Sequence, residues 1–450
     1  MLNRLALVLL ALCFSGASAS LHAVSYQAAG SARPSGPGLS FQMGAEQLAP
    51  RYQQAKASFE TALSQMTGLA AEQRSFANTV KAFETASAVF AEQIQHLLFL
   101  GQVSPDAQTR AAAQKLSKEA GAYEVAIGAR EDLFRAMREY ADRKEALSAE
   151  DARLLERLMR DFKHSGHGLS PEDKASLQAM QERLSVISGA YRVNIDADNA
   201  FLDLERADLE GLPEHYINGL ERPSAGKYRV TVQSPDYGPF MRYAVSAERR
   251  RELQLKYQTR AVDKNLPLLG EALRLRGQSA KLLGYGSFPE MALTERMAQT
   301  PQRVWDFLNK LWPILRIRGE GELAKLLEIK RRDDPSAQRM GTWERLYYGN
   351  KLRQEKYDLD AEEVKKYFPV DKVLEGTLKI YQRILGVTFT EVPAPDVWQK
   401  DVRLFRVEDG LTGDELAHFY LDLFPREGKY SHAAAFTLVS GRELDGGGYQ

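Results

Sequence analysis

A chain of 450 residues with 44% hydrophobic and 27% charged side chains is globular in composition and long enough for two or more domains or one large helical body. Lys plus Arg and Asp plus Glu both number 60, giving formal net charge zero. That balance argues against a phosphate-tracking nucleic-acid binder, which needs excess cation to release counterions.

The first elements are processing signals. Arg4, the apolar run Leu5 to Phe14 and the small residues Ala17-Ser18-Ala19 read as a signal peptide over residues 1–19. The apolar run is shorter than the roughly 20 residues a bilayer span needs, so a stable membrane anchor is not expected. Leu12 before Cys13 is unlike a lipoprotein signal, and export to a bacterial periplasm or the exterior is the expectation. Cys13 is the only cysteine, so the mature chain is expected to lack a thiol. That removes a cysteine nucleophile, a disulfide framework and a thiolate zinc site together.

Residues 20–44, with "AAGSARPSGPG" from Ala28 to Gly38, read as a flexible linker. A helical period then sets in, and an N-terminal helical domain is expected over 45–230. Phe76, Val80, Phe83, Phe90, Ile94 and Leu97 fall on one helical face. "SAED" from Ser148 and "SPED" from Ser170 are capping boxes, the second with Pro171 at the first helical position. Behind them run the stripes Leu155, Leu158, Met159, Phe162 and Leu177, Met180, Leu184, Ile187, Tyr191. Two helices joined at "HSGHG" therefore make an αα-hairpin.

Tyr228 to Gln233 alternates like a strand, and helices are expected from Ser246 to about Arg332 and again from Thr342. Val402 to Val407 and Leu416 to Phe424 alternate around the turn residues of "EDGLTGDE" and predict a hairpin. Ser431 to Phe436 reads as a further small-residue strand. The fold class expected is mainly α, a large helical body with a small antiparallel sheet near the C-terminus. Residues 231–450 are expected to form a second domain.

Among seven histidines, His164 and His167 alone have short metal-ligand spacing, with Glu172 as a conceivable third ligand. Gly166 between them ends the helix that would align them, so a histidine at a helix C-terminus is the simpler reading. His96 reads as a flank residue, and His215 shows no partner. "GEG" at Gly319 to Gly321 lacks the strand and spacing of a nucleotide loop, and neither a P-loop nor a G-x-S-x-G elbow occurs. Asp422 and Glu427 could be paired carboxylates, but a turn between strands explains both. No H-E-x-x-H is present.

Several long blocks carry a resemblance. "TWERLYYGNKLRQEKYDLD" from Thr342, "VWQKDVRLFRV" from Val397 and "HFYLDLFPREGKYSHAAAF" from His418 resemble the thimet oligopeptidase, oligopeptidase A and dipeptidyl carboxypeptidase family of zinc metallopeptidases. "LPEHYINGL", "SPDYGPFMRYA" and "AKLLGYGSFPEMAL" fit it in the same order, and the resemblance covers most of the chain from about Ala45.

The resemblance implies a largely helical, channel-bearing body and a helix whose H-E-x-x-H histidines bind zinc. The Glu of that motif acts as general base on the zinc-bound water, and a downstream Glu completes the ligands. In the family these residues follow the "KYSHAAAF"-like strand, so they are expected beyond Gln450. The complete enzyme is expected to cleave short peptides with one zinc; this chain is expected to hold no metal and to be inactive alone. The candidate substrate-binding residues are Ser431, His432, Ala433 and Ala434, on an edge that receives a peptide as an added strand. Packing of those small residues against a helix is the alternative. Two rival functions stay open, a non-catalytic helical peptide-binding remnant and a metalloprotein using His164, His167 and Glu172. Uncovered apolar surface and poor solubility are expected of the chain alone.

Overall fold

The apolar stripe read from Phe76 to Leu97 runs along a helix that changes pitch. A computed structural model of the chain describes residues 38–358, 361–430, 433–444 and 448–449. Helix α1 (Ala45–Thr67) comes first, then a π-helix over Phe76–Lys81 started by Ser75, whose hydroxyl accepts from the Asn78 N–H. This continues as α2 (Ala82–Val103), followed by α3 (Ala107–Gly128) and α4 (Glu131–Ala141). Val80, Phe83, Ile94 and Leu97 are buried as the period predicts, and the Phe59 ring of α1 stacks on Phe90 at 4.9 Å.

At both predicted capping boxes the serine half forms. The hydroxyls of Ser148 and Ser170 each accept the N–H three residues on, from Asp151 and Asp173, at 3.1 Å. They open α5 (Ala149–His164) and α6 (Pro171–Asp196). Between the helices Gly166 and Gly168 take φ of +95° and +98°, backbone that side chains with a Cβ resist.

The chain divides into two compact units, one of residues up to Val186 with Thr377 onward, the other Ile187–Gly376. The boundary expected at 230/231 falls inside the second unit, within a strand. That unit opens on the last turns of α6 and continues with β1 (Phe201–Glu205), α7 (Glu214–Gly219) and β2 (Lys227–Thr231). The strands pair antiparallel with Leu204 opposite Tyr228, burying Leu202, Leu204 and Val230. Helices α8 (Ser234–Tyr243), α9 (Ala247–Gln258), α10 (Val262–Leu282), α11 (Phe288–Leu293) and α12 (Pro301–Asp333) follow. Leu326 and Ile329 of α12 pack with Tyr348, whereas Trp305, Phe307, Trp312, Ile314 and Ile317 are exposed. The aromatic-rich segment forms a 3-10 turn at Thr342–Glu344 and α13 (Arg345–Tyr357). Then come α14 (Ala361–Lys365) and α15 (Val370–Leu385).

The period change near the end is real. Strands β3 (Val387–Val392), β4 (Arg403–Asp409) and β5 (Glu415–Leu421) form an antiparallel sheet in that order. The hairpin predicted from "EDGLTGDE" joins β4 to β5, with Asp409 Oδ1 accepting the N–H groups of Leu411 and Thr412. Leu404 and Phe405, adjacent on β4, are both buried, so the central strand is covered on both faces. A two-residue pair, β6 (Glu443–Leu444) and β7 (Gly448–Tyr449), follows. The fold is mainly α with small antiparallel sheets.

Two expectations need correction. Residues 38–44 do not end a linker: Phe41 and Met43 are core residues, 2% and 7% exposed. The strand expected over Ser431 to Phe436 is not formed in its described part, since Ala433–Phe436 join no ladder. Ser431 and His432 lie outside the described residues.

Candidate functional site

Trp398 stands at the centre of an aromatic cluster. Trp398 meets Phe41 at 4.8 Å, Phe99 of α2 at 4.9 Å and Tyr420 of β5 at 5.4 Å between ring centroids. Asp396, just before it, accepts the N–H groups of Phe41 and Gln42 on Oδ1, both at 2.8 Å. Burial pushes the Asp396 carboxyl up, but the Ser40 hydroxyl and these two N–H groups outweigh it and hold the group below its ordinary value. The residues taken for linker are thereby stitched to the sheet region of their own unit.

Strand β5 stops at Leu421 because Asp422 turns into a different structure. Its Oδ1 accepts from Lys429 Nζ at 2.7 Å and Arg426 Nη1 at 2.8 Å. Its Oδ2 accepts from Arg426 Nη2 at 2.9 Å and the Trp398 indole at 2.8 Å. Burial alone raises this carboxyl, yet the donors from Arg426, Lys429 and Trp398 hold it below its usual range. Lys429 Nζ also donates to the carbonyls of Asp422 and Phe424.

The same loop closes the C-terminus of α2. A helix leaves its last carbonyls without intrahelical donors, and positive charge is favoured there. Arg426 Nη2 donates to Val103 O at 2.6 Å and the Tyr430 N–H to Gln102 O at 2.8 Å. Gly428, at φ +75°, lies so close to the Arg110 guanidinium that a Cβ would collide with it. The positive φ favours glycine there, whereas the guanidinium, as the end of a flexible side chain, can shift aside. Asp422 and Glu427 are therefore no acid/base pair: Asp422 is held by cations and Glu427 is exposed.

Ala433 and Ala434 are exposed. Past them, Phe436 leans on Phe99 at 5.2 Å and Arg442 pairs with Glu92 of α2 at 3.0 Å. The candidate run is thus attached to α2 on both sides.

The histidines have other duties. The His167 side chain is fully buried and stacked on Phe134 at 4.3 Å, with Nε2 2.9 Å from Gly128 O and Nδ1 3.2 Å from Lys174 Nζ and 3.1 Å from Glu131 Oε2. Both ring nitrogens are engaged, so His167 is not a metal ligand in this arrangement. His164 ends α5 as read, and Glu172 is exposed. His215, left without a partner in the sequence, lies 3.4 Å from Glu362, a residue on α14 that no short-range pattern indicates. Gly319 and Gly321 lie within α12, not in a nucleotide loop. Among the described residues no group of three or more His, Cys, Asp or Glu side chains could hold a metal ion. No helix among them is long and apolar enough to cross a membrane.

A cleft of ≈ 540 Å³ opens beside α1 and α2, lined by Phe59, Phe90, Lys81 and small residues including Ala55, Ala62 and Ala86. Its walls carry no histidine or carboxylate, so they offer no metal ligand of those types, and Lys81 is their one charged group.

The profile of Peptidase family M3 matches residues 240–450. The chain is 28% identical over 421 residues to a "Thimet-like oligopeptidase" of Dictyostelium discoideum, covering 90% of this chain and 63% of that protein. It is 29% identical over 398 residues to "Saccharolysin" of Saccharomyces cerevisiae, 83% of this chain and 55% of the relative. It is 30% identical over 373 residues to "Oligopeptidase A" of Salmonella typhimurium, 79% of this chain and 54% of the relative. The chain thus spans little more than half the length of these curated relatives. Residues 240–450, which hold the blocks from Ala280, Thr342, Val397 and His418, match the profile of peptidase family M3.

Proposed function

We propose that this chain supplies the helical body and a peptide-binding edge of a zinc-dependent oligopeptidase whose zinc ligands lie outside residues 1–450. The observation that carries it is the family match from residue 240 onward, joined to relatives named as oligopeptidases. The described residues do not fit a zinc site: they offer no cluster of ligands, and the one close histidine pair has its buried member fully engaged. No catalytic step is therefore assigned to residues of this chain. Polypeptide 1–450 alone is inactive in this reading, and residues 1–19 direct export.

Substrates in this reading are short peptides, bound along Ser431 to Ala434. Exposure of Ala433 and Ala434, whose methyl groups leave the backbone open, supports it. The rival reading, a peptide-binding protein without catalysis, uses the same edge and differs only in the absence of zinc-bearing residues from the complete protein.

Purified 1–450 chain tests both parts. It is expected to bind a fluorescein-labelled nonapeptide, to hold no stoichiometric zinc by elemental analysis, and to cleave nothing. Stoichiometric zinc with chelator-sensitive cleavage sinks the assignment of the ligands elsewhere. Ala433→Pro deletes a backbone donor at the edge, so peptide affinity is expected to fall about tenfold. Unchanged affinity removes the edge.

A further inference from the structure

A backbone that is to receive an added strand faces a conflict. It must be held in place, yet the usual means of holding a strand, a ladder on each side, consumes the donors and acceptors the incoming peptide needs. Ala433, Ala434 and Ala435 are placed as that conflict demands. Among the described residues their backbone groups make no backbone hydrogen bond, and the side chains are exposed. The attachments lie on either side, at Tyr430 and at Phe436 and Arg442, and all reach α2.

The first attachment depends on Asp422. Side chains of Asp422, Arg426 and Lys429 are only 11%, 15% and 14% exposed, so three charges are largely withdrawn from water. Such clusters contribute little net stability, because desolvation offsets most of the attraction. What they add is geometry. The two-pronged contact with Asp422 fixes the guanidinium plane, and the Nη2 so placed also reaches Val103 O. Lys429 Nζ has acceptors for all three of its protons, Asp422 Oδ1, Asp422 O and Phe424 O. The turn from Asp422 to Tyr430 is left one way to lie.

We propose that Asp422 is a positioning residue for peptide binding: it locks Arg426 and Lys429 onto the end of α2 so that the Ala433–Ala435 backbone is held without using its own hydrogen-bonding groups. This rests on the peptide-edge reading above. The carboxylate touches no substrate in this arrangement and acts through the loop it closes.

The test compares wild-type 1–450 chain with Asp422→Asn and with Lys429→Met, which keeps the Asp422–Arg426 fork; Glu427→Gln is the control in the same turn. Fluorescence anisotropy with the labelled nonapeptide gives affinity, amide hydrogen exchange gives protection at Tyr430, and thermal unfolding shows that each variant is folded. Asp422→Asn is expected to speed Tyr430 exchange and weaken peptide binding, each about tenfold, with the helical unit still folded and Glu427→Gln like wild type. Lys429→Met is expected to show both effects in smaller degree, and it decides the matter if Asp422→Asn does not fold. A wild type that binds the peptide, with folded variants that bind it equally well, overturns the role of Asp422 while the edge stands. A wild type that binds no peptide overturns the edge reading and this proposal with it.

Discussion

The Phe41 N–H donates to Asp396 Oδ1 at 2.8 Å, joining residues 355 positions apart in the chain. The bond closes a strap whose Phe41 ring fills the cluster of Trp398, Phe99 and Tyr420. Phe41→Ala is expected to destabilise the helical unit by about 3–5 kcal/mol, the usual loss for a buried ring left as a cavity. Urea unfolding checks it, and a loss below about 1 kcal/mol means the strap is peripheral.

The same bond sets an acid dependence. Asp396 is held below its ordinary value in the folded chain, so on acidification the unfolded chain takes up this proton first. Its contribution is complete above the unfolded pKa, about 3.9, and is lost as pH falls through the folded value. Asp396→Asn is expected to be less stable than wild type at pH 7 and to lose less stability on going to pH 3. Equal slopes for the two proteins refute the linkage.

His167 carries the opposite charge type but the same sign of dependence. Burial lowers its pKa first and Lys174 adds to that, while Gly128 O and Glu131 oppose. The unfolded histidine, near pH 6.5, binds its proton before the folded one does, so stability is full above that pH and declines below it. Unfolding midpoints of wild type are expected to drop between pH 7.5 and 5.5 more than those of His167→Phe. That variant keeps the stacking on Phe134 and loses the titration.

What the sequence made legible was local or long. Ser148 and Ser170 announce their helices because a cap needs only three residues, and the stripe through Phe83, Ile94 and Leu97 needs only one period. Strands β1 and β3 were missed although both alternate, since five or six residues amid helical text give a weak signal. Phe41, the partnership of His215 with Glu362, and the closing of α2 by Arg426 were not legible at all. Each is a meeting of distant segments, and no pattern within a window reports it. The candidate edge rests on family resemblance, and its described part, Ala433–Phe436, joins no ladder where the sequence predicts a strand.

Helix α12 makes a different kind of prediction. Trp305, Trp312 and Ile317 are 60%, 64% and 73% exposed, with Phe307 and Ile314 exposed beside them. A helix that is apolar on several faces ordinarily lies buried. Purified 1–450 chain is therefore expected to bind an apolar fluorescent dye and to self-associate as concentration rises. Trp312→Glu with Ile317→Lys is expected to reduce both while leaving the unfolding midpoint within about 0.5 kcal/mol of wild type, as for exposed sites generally. A monomer that ignores the dye at high concentration contradicts this.

Arg250 presents the hardest case for simple charge counting. It is 1% exposed, and among the described residues no carboxylate forms an ion pair with it. Its guanidinium donates to the carbonyls of Ala244, Val245 and Trp343 and lies 4.1 Å from the Tyr347 ring centroid. Burial depresses its pKa, with Tyr347, Tyr348 and Glu344 opposing. The cation is held by carbonyl dipoles and a ring face, and in return it joins the end of α8, α9 and the turn before α13. Lysine keeps the charge but has no planar fork to reach three carbonyls at once. Methionine removes the charge and leaves those carbonyls without a donor. Both Arg250→Lys and Arg250→Met are expected to destabilise this unit by about 2–4 kcal/mol, measured by urea unfolding followed through tryptophan emission. If Met is tolerated within about 0.5 kcal/mol while Lys is not, the carbonyls find water and the guanidinium clamp contributes nothing.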